Sequence, residues 1–136
     1  MLRTMGADGD KIPVVLVVEN NPQVLQILRD LVSAQGWEPV AVATLKDALS
    51  SFAARAIAAI VADVELDDGT SLALLQKARQ HLPQPVPAFA ISSYASDDLR
   101  QEVKSLGAID LIAKPFRLDD LARRLEKELG AVTSET

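Results

Sequence analysis

Five polar residues with complementary chemistry each stand at the end of a short apolar run. They are Glu19, Asn20, Asp63, Ser92 and Lys114. Two carboxylates, an amide, a hydroxyl and an ammonium in one pocket could hold a hard divalent cation through oxygen ligands. An anionic group could then bind between that cation and the lysine. This combination is typical of phosphoryl transfer, and it depends on elements that bring the five residues together.

The apolar runs before these residues have the length of β-strands and alternate with segments of helical period. This alternation predicts a parallel sheet built from βαβ units. Strands are predicted at 14–18, 40–43, 57–62, 89–92 and 110–113. The carboxyl ends of parallel strands share one edge of the sheet, and ligands bind in the crevice there. The five polar residues are therefore expected to converge.

Helices are predicted between and after these strands. Asn21 stands before Pro22 as an N-cap, and Ser96 can cap the fourth helix. Gly107 is well placed to end that helix, and the last helix is predicted to start near Leu118. Leucine and valine stripes at helical spacing give each helix one apolar face for the core.

Four short motifs, in order and at these spacings, resemble the receiver domains of two-component signalling. They are VVENNP at 17–22, IVAD at 60–63, ISS at 91–93 and KPF at 114–116. Gly107-Ala108 before the last motif strengthens the resemblance, which covers residues 14 to about 129. The resemblance implies an α/β fold with a doubly wound, five-stranded parallel sheet of order 2-1-3-4-5. This flavodoxin-like arrangement has helices on both faces.

The resemblance also implies a role for individual residues in phosphorylation. Asp63 corresponds to the phosphoacceptor, and Lys114 to the lysine that contacts a phosphoryl oxygen. Ser92 corresponds to the hydroxyl that moves to hydrogen-bond the phosphoryl group. The bond between Lys114 and Pro115 is a candidate for the cis isomer, which would direct the lysine inward.

The family's metal is Mg²⁺, and the resemblance assigns its ligands here. Glu19 and Asn20 follow strand 1, and Asp63 follows strand 3. A backbone carbonyl that falls on Glu65 completes the set. We expect Mg²⁺ to bind weakly, because Asn20 replaces the aspartate that is usual at its position.

Two further residues depart from the family pattern. Asp67 occupies a position that is often proline, and it adds a negative charge near the site. Leu111 stands where receivers commonly have tyrosine or phenylalanine, the aromatic that rotates as the hydroxyl moves. We therefore expect an altered switch relay.

Composition restricts the remaining functions. The 136 residues carry a net charge of −5, which lacks the basic excess needed to bind nucleic acid directly. The sequence has one histidine and no cysteine. We therefore expect neither a Ser–His–Asp or Cys–His catalytic site nor a thiolate metal site. The apolar runs are far shorter than the roughly 20 residues that span a bilayer. We expect a cytoplasmic protein without membrane contact.

The chain is expected to contain one domain. Residues 13–130 form the predicted receiver domain, 1–12 a flexible leader and 131–136 a C-terminal tail. There is no internal repeat and no linker towards another domain, so the domain is expected to stand alone.

The leading hypothesis is a switch that receives a phosphoryl group on Asp63 from a histidine kinase or a phosphotransfer protein. It would catalyse only its own phosphorylation and dephosphorylation, and it would not be an enzyme towards other substrates. Output is expected from the face formed by helix 4, strand 5 and helix 5. That face would bind a downstream target or form a weak homodimer.

Two alternatives remain open at this point. A degenerate receiver could act as a phosphorylation-independent binding module, as Asn20 and Leu111 suggest. A flavodoxin-like cofactor protein would need a Ser/Thr- or Gly-rich phosphate loop after strand 1, where this chain has Glu19 followed by Asn20.

Overall fold

A five-stranded parallel sheet forms the centre of the protein. The computed structural model describes residues 11–130. The strands are β1 (Val14–Val18), β2 (Glu38–Val42), β3 (Ala59–Asp63), β4 (Ala88–Ser92) and β5 (Asp110–Ala113). They lie in the order β2-β1-β3-β4-β5, and every neighbouring pair is parallel. The predicted order 2-1-3-4-5 is confirmed.

Helices follow each of the five strands within residues 11–130. They are α1 (Pro22–Ala34), α2 (Leu45–Ala54), α3 (Leu72–Arg79), α4 (Asp97–Ser105) and α5 (Leu118–Leu129). Asn21 Oδ1 accepts hydrogen bonds from the N–H groups of Gln23 and Val24 at 2.9 and 3.1 Å. Ser96 Oγ accepts one from the N–H of Leu99 at 3.1 Å. These caps satisfy amides that have no partner in the helix, so α1 and α4 begin close behind strand ends.

The sheet is buried on both faces by two separate core layers. Successive side chains of a strand point to opposite faces. Leu16 and Val18 pack with α2, α3 and α4, whereas Val15 and Val17 pack with α1 and α5. Every residue of β3 is buried. The doubly wound α/β class is confirmed, and Asp63 ends its central strand.

The observed bounds of β1 and β5 match the predicted ones, whereas those of β2, β3 and β4 differ by one or two residues. Glu38 is exposed, yet it belongs to β2 because its N–H donates to the carbonyl of Pro13 at 2.9 Å. Ile57 is buried but lies in the loop before β3. Backbone hydrogen bonding decides these bounds, while the apolar run records only burial. Asp63 is consequently the last residue of β3, opposite Ile91, and not the residue after it.

A short hairpin connects β3 to α3. The two-residue strands Glu65–Leu66 and Gly69–Thr70 pair antiparallel, with Asp67 and Asp68 between them. These two short strands were not among the five predicted from the sequence. The carboxylate of Asp68 accepts hydrogen bonds of 2.8 and 3.0 Å from the first two amides of α2. These backbone hydrogen bonds lower the pKa of Asp68 and attach the hairpin to α2.

Most of the predicted leader and the whole predicted tail lie outside the described residues. Of the leader, only Lys11 and Ile12 are described, and neither belongs to a helix or strand. Among residues 11–130, no helix is long and apolar enough to cross a bilayer.

Candidate functional site

Four of the polar residues identified in the sequence meet at the carboxyl edge of the sheet. Glu19 follows β1, Asp63 ends β3, Ser92 ends β4 and Lys114 follows β5. The registers of the neighbouring strands place these ends side by side. Glu19, Asp63 and Ser92 are exposed by 0%, 4% and 0%. Buried charges at this depth require partners of opposite charge.

Lys114 supplies that partner for both carboxylates. Its Nζ lies 2.6 Å from Asp63 Oδ2 and 2.6 Å from Glu19 Oε1. Burial opposes the charge of Lys114, but the hydrogen bonds and charges of Asp63 and Glu19 outweigh burial and raise the pKa of Lys114. Burial raises the pKa of Glu19, against the hydrogen bond from Lys114. The pocket therefore contains two carboxylates around one ammonium.

Backbone amides orient the two carboxylates. The N–H of Asn21 donates to Glu19 Oε2 at 2.9 Å, and the N–H of Glu65 donates to Asp63 Oδ1 at 3.1 Å. Glu19 Oε1 is buried, and its polar contact is the ammonium of Lys114 at 2.6 Å. A carboxylate oxygen accepts more than one partner, so Oε1 has capacity for a further cation.

The donor set at this edge fits Mg²⁺. Two carboxylates, from Glu19 and Asp63, stand near the amide of Asn20 and the backbone of Glu65, and hard cations accept all of these oxygens. Across residues 11–130, no three Asp, Glu, His or Cys side chains are grouped so that they could hold a metal ion. Position 20 carries an amide, so the set has two carboxylates. The residues fit Mg²⁺ with a lower negative charge than a three-carboxylate set.

The hydroxyl of Ser92 contacts the side chain of Glu65. Ser92 Oγ lies 2.9 Å from Glu65 Oε1 and 3.0 Å from Oε2, and it accepts a hydrogen bond of 2.9 Å from the N–H of Tyr94. The sequence singled out Glu65 only for its backbone carbonyl. The sequence shows a carboxylate two residues after Asp63, but the hairpin determines that this side chain points towards Ser92.

The two uncharged departures from the family pattern lie in different surroundings. Asn20 is half-buried at the rim of the site, and its Nδ2 donates a hydrogen bond of 2.9 Å to Asp67 Oδ1. Leu111 is 1% exposed and packs in the core layer of α2, α3 and α4. Its carbonyl accepts a hydrogen bond of 2.9 Å from Arg100. Leu111 therefore acts as a core residue of β5.

The segment around Lys114 is anchored on both sides of the lysine. The N–H of Lys114 donates to the carbonyl of Ser92 at 2.9 Å. The peptide bond from Lys114 to Pro115 is cis, the isomer that the resemblance led us to expect. Phe116 packs against the core layer of α1 and α5. The ammonium thus extends from a fixed backbone.

A 2-1-3-4-5 parallel sheet with a lysine between two buried carboxylates at its carboxyl edge defines a receiver-type signalling domain. The family model of the response regulator receiver domain matches residues 15–126. The chain belongs to the response regulator receiver domain family, which confirms the resemblance found in the sequence. Receiver domains take part in phosphorelay signalling and generally bind Mg²⁺ for phosphorylation. They interact with histidine kinases and effector domains.

Curated relatives include two transcriptional regulators named KdpE. The chain is 29% identical over 111 residues to the Mycobacterium tuberculosis protein, an alignment that covers 82% of this chain and 48% of that one. It is 30% identical over 122 residues to the Escherichia coli protein, covering 90% and 53%. The chain therefore spans about half the length of the curated relatives it matches.

Solved structures share the fold. A CheY-like response regulator receiver domain protein from Methanospirillum hungatei superposes with a TM-score of 0.81 at 22% identity, covering 90% of this chain and 97% of that one. The BeF3-activated receiver domain of DrrB gives a TM-score of 0.79 at 20% identity, covering 88% and 98%.

Proposed function

We propose that this domain is a phosphorylation-controlled switch whose Asp63 accepts a phosphoryl group from a histidine kinase or a phosphotransfer protein. The contact of 2.6 Å between Lys114 Nζ and Asp63 Oδ2 carries this proposal. It puts a positive charge beside the carboxylate on which phosphoryl charge would build up. Preorganised charge of this kind is a large contribution to group transfer.

The chemistry requires little beyond positioning. A carboxylate oxygen of Asp63 forms a bond to phosphorus as the bond from phosphorus to the donor imidazole nitrogen breaks. The imidazole leaves with the electron pair and takes up a proton, and Asp63 becomes an acyl phosphate. A carboxylate is already a nucleophile and needs no base. Lys114 offsets charge on the phosphoryl oxygens. The domain would catalyse only its own phosphorylation and dephosphorylation.

We propose that Glu19, Asp63, the amide oxygen of Asn20 and the backbone carbonyl of Glu65 bind Mg²⁺. When bound, Mg²⁺ supplies further neutralisation of phosphoryl charge. Binding should be weak because Asn20 offers a neutral oxygen where a carboxylate would add Coulomb attraction. The amide oxygen remains an acceptable ligand, so binding is not abolished.

Output is proposed at the face formed by α4, β5 and α5. Ser92 and Lys114 connect the pocket to the loops before α4 and α5, and a bound dianion would draw both groups inward. Asp110 of β5 accepts hydrogen bonds from Arg100 of α4 and from Arg124 of α5, the latter at 2.8 Å. These mixed charges suit reversible binding of a downstream protein or a second copy in a weak homodimer.

The proposed compartment is the cytoplasm, because a cysteine-free sequence is compatible with reducing conditions. Direct contact with nucleic acid is not part of the proposal, given the net charge of −5.

Intact-mass spectrometry tests the central proposal. Wild-type protein incubated with acetyl phosphate and Mg²⁺ should gain the mass of one phosphoryl group. Asp63→Asn should gain none, whereas the control Asp98→Asn, at an exposed position in the first turn of α4, should behave as wild type. Phosphorylation of Asp63→Asn at the wild-type rate would show that the assigned acceptor is wrong.

A degenerate receiver that binds its partner without phosphorylation is the second candidate. Its support is the amide at position 20 and the engagement of Ser92 by Glu65. In that case wild-type protein would gain no phosphoryl mass, and Asp63→Asn would bind the partner with unchanged affinity.

A further inference from the structure

The side chain of Glu65 accepts a hydrogen bond from the hydroxyl of Ser92, the group that the proposed switch requires. Both carboxylate oxygens of Glu65 lie within 3.0 Å of Ser92 Oγ, and Ser92 is fully buried. The backbone N–H of Glu65 also donates to Asp63 Oδ1 at 3.1 Å. Glu65 therefore contacts the proposed acceptor through its backbone and the proposed switch residue through its side chain.

A serine hydroxyl has one proton to donate. Here Ser92 donates it to a carboxylate, and its oxygen accepts from the N–H of Tyr94 at 2.9 Å. Hydrogen bonds to charged groups are about twice as strong as neutral ones. A phosphoryl group on Asp63 would need the same proton. The carboxylate of Glu65 and the phosphoryl group are therefore mutually exclusive acceptors for Ser92.

The hairpin holds the backbone of Glu65 in place below this contact. Glu65 pairs with Thr70 across the hairpin, and the N–H of Ser71 donates to the carbonyl of Val64 at 3.0 Å. Asp68 joins the same hairpin to the start of α2. Glu65 is half-buried, so its side chain is not one that moves freely in solvent.

We propose that Glu65 is a positioning residue that restrains Ser92 in the unphosphorylated protein and loses this contact when Asp63 is phosphorylated. The proposal rests on the proposed phosphorylation of Asp63. The phosphoryl dianion would take the proton of Ser92 and repel the carboxylate of Glu65. Ser92 would move inward to the phosphoryl group, and the segment from Tyr94 to the start of α4 would move with it. The free energy that drives the switch is then the difference between the hydrogen bond of Ser92 to the phosphoryl group and its hydrogen bond to Glu65.

Beryllofluoride binding in the presence of Mg²⁺ measures this competition, because beryllofluoride on Asp63 stands for the phosphoryl group. Glu65→Ala should bind beryllofluoride about tenfold more tightly than wild type, since one charge-assisted hydrogen bond no longer competes. Glu128→Ala, at an exposed glutamate of α5, serves as the surface control and should leave the affinity unchanged.

Repeating Glu65→Ala in a Ser92→Ala background separates competition from simple charge removal. Loss of a negative charge would raise the affinity equally in both backgrounds. Competition for the hydroxyl requires a smaller gain when Ser92 is absent. Equal gains in the two backgrounds, or no gain in either, would overturn the proposal.

The amide resonance of Tyr94 provides a readout that does not need the phosphoryl analogue. In ¹⁵N-labelled protein without beryllofluoride, Glu65→Ala should shift this resonance towards its position in the beryllofluoride-bound wild type. An unchanged resonance would contradict the restraint of Ser92. If wild type binds no beryllofluoride, the proposed function of Asp63 fails and this proposal with it. If wild type binds it and Glu65→Ala binds equally well, only the role of Glu65 is wrong.

Discussion

The amide nitrogen of Asn20 donates a hydrogen bond of 2.9 Å to the carboxylate of Asp67, so two departures from the usual receiver pattern contact each other. Asp67 carries the negative charge that position 20 lacks, on an exposed side chain. The bond uses the nitrogen of the amide and leaves its oxygen for another partner. Outer groups that orient a ligand in this way strengthen metal sites.

Substitutions at Asn20 and Asp67 should therefore change the magnesium affinity in a defined order. Asn20→Asp should tighten binding by roughly tenfold, because a carboxylate replaces a neutral ligand. Asp67→Asn should weaken it through loss of nearby charge. The double variant Asn20→Asp with Asp67→Asn keeps the wild-type net charge, and its affinity should lie between those of wild type and Asn20→Asp.

Calorimetry would measure these affinities directly, with Asn20→Ala as the variant that should not tighten binding. Asn20→Asp should also speed phosphorylation of Asp63 at limiting Mg²⁺. Equal affinities for wild type and Asn20→Asp would show that position 20 does not hold the metal. The degenerate binding module would then gain support.

Charge reversal at Lys127 should alter self-association or partner binding through the face of α4, β5 and α5. Within residues 11–130 Lys127 forms no ion pair, whereas Arg124 bonds to Asp110 at 2.8 Å. Reversal at Arg124 should also affect binding, but it breaks this internal contact as well. Sedimentation with and without beryllofluoride should show a change for Lys127→Glu and none for Lys77→Glu on α3. Identical effects of the two reversals would argue against this face.

Asp110 should stabilise the fold at neutral pH and lose that effect in acid. Burial opposes ionisation, but hydrogen bonds from Arg124, the N–H of Leu111 and Arg100 outweigh it and lower the pKa of Asp110. A carboxyl group with a lowered folded pKa contributes stability above its unfolded value of about 3.9. That contribution disappears as the pH falls through the folded pKa.

Asp110→Asn should therefore reduce the free energy of unfolding by about 1 kcal/mol near neutral pH, a modest loss because both arginines are partly solvated. Urea denaturation should show the two proteins converging as the pH falls below the unfolded value of about 3.9 and through the lowered folded pKa of Asp110. A difference that stays constant across this range would mean that the ionised carboxylate is not what stabilises the contact.

Gly107→Ala should destabilise the domain through two effects at once. Gly107 has a φ of +110°, and a Cβ there would lie 2.7 Å from the Cβ of Arg79. Backbone strain of this kind costs about 1 to 3 kcal/mol, and the steric overlap adds to it. Gly130 has a φ of +79° with nothing near its Cβ position, so Gly130→Ala is the matched control. Thermal denaturation should show the larger loss for Gly107→Ala, and equal losses would exclude the overlap with Arg79.

The order of elements and the place of the site could be predicted from the sequence. Alternating strand-length and helical segments are local properties, and parallel strands end at one edge by geometry. Asp63 and Lys114 could therefore be placed together although they are far apart in the chain. The bounds of β2 and β3 were predicted less accurately, because they depend on hydrogen bonds to neighbouring strands and not on apolarity.

The partners of the polar side chains were decided only by the tertiary structure. Glu65 contacts Ser92, and Asn20 contacts Asp67, because the hairpin of residues 65–70 after β3 turns back over the strand ends. The hydrophobic pattern of the sequence does not predict where this hairpin lies relative to the sheet. A side chain's direction follows from the backbone that carries it and from the neighbours that burial brings within about 3 Å. Sequence spacing identifies the groups at this edge, whereas the fold determines which of them bond to each other.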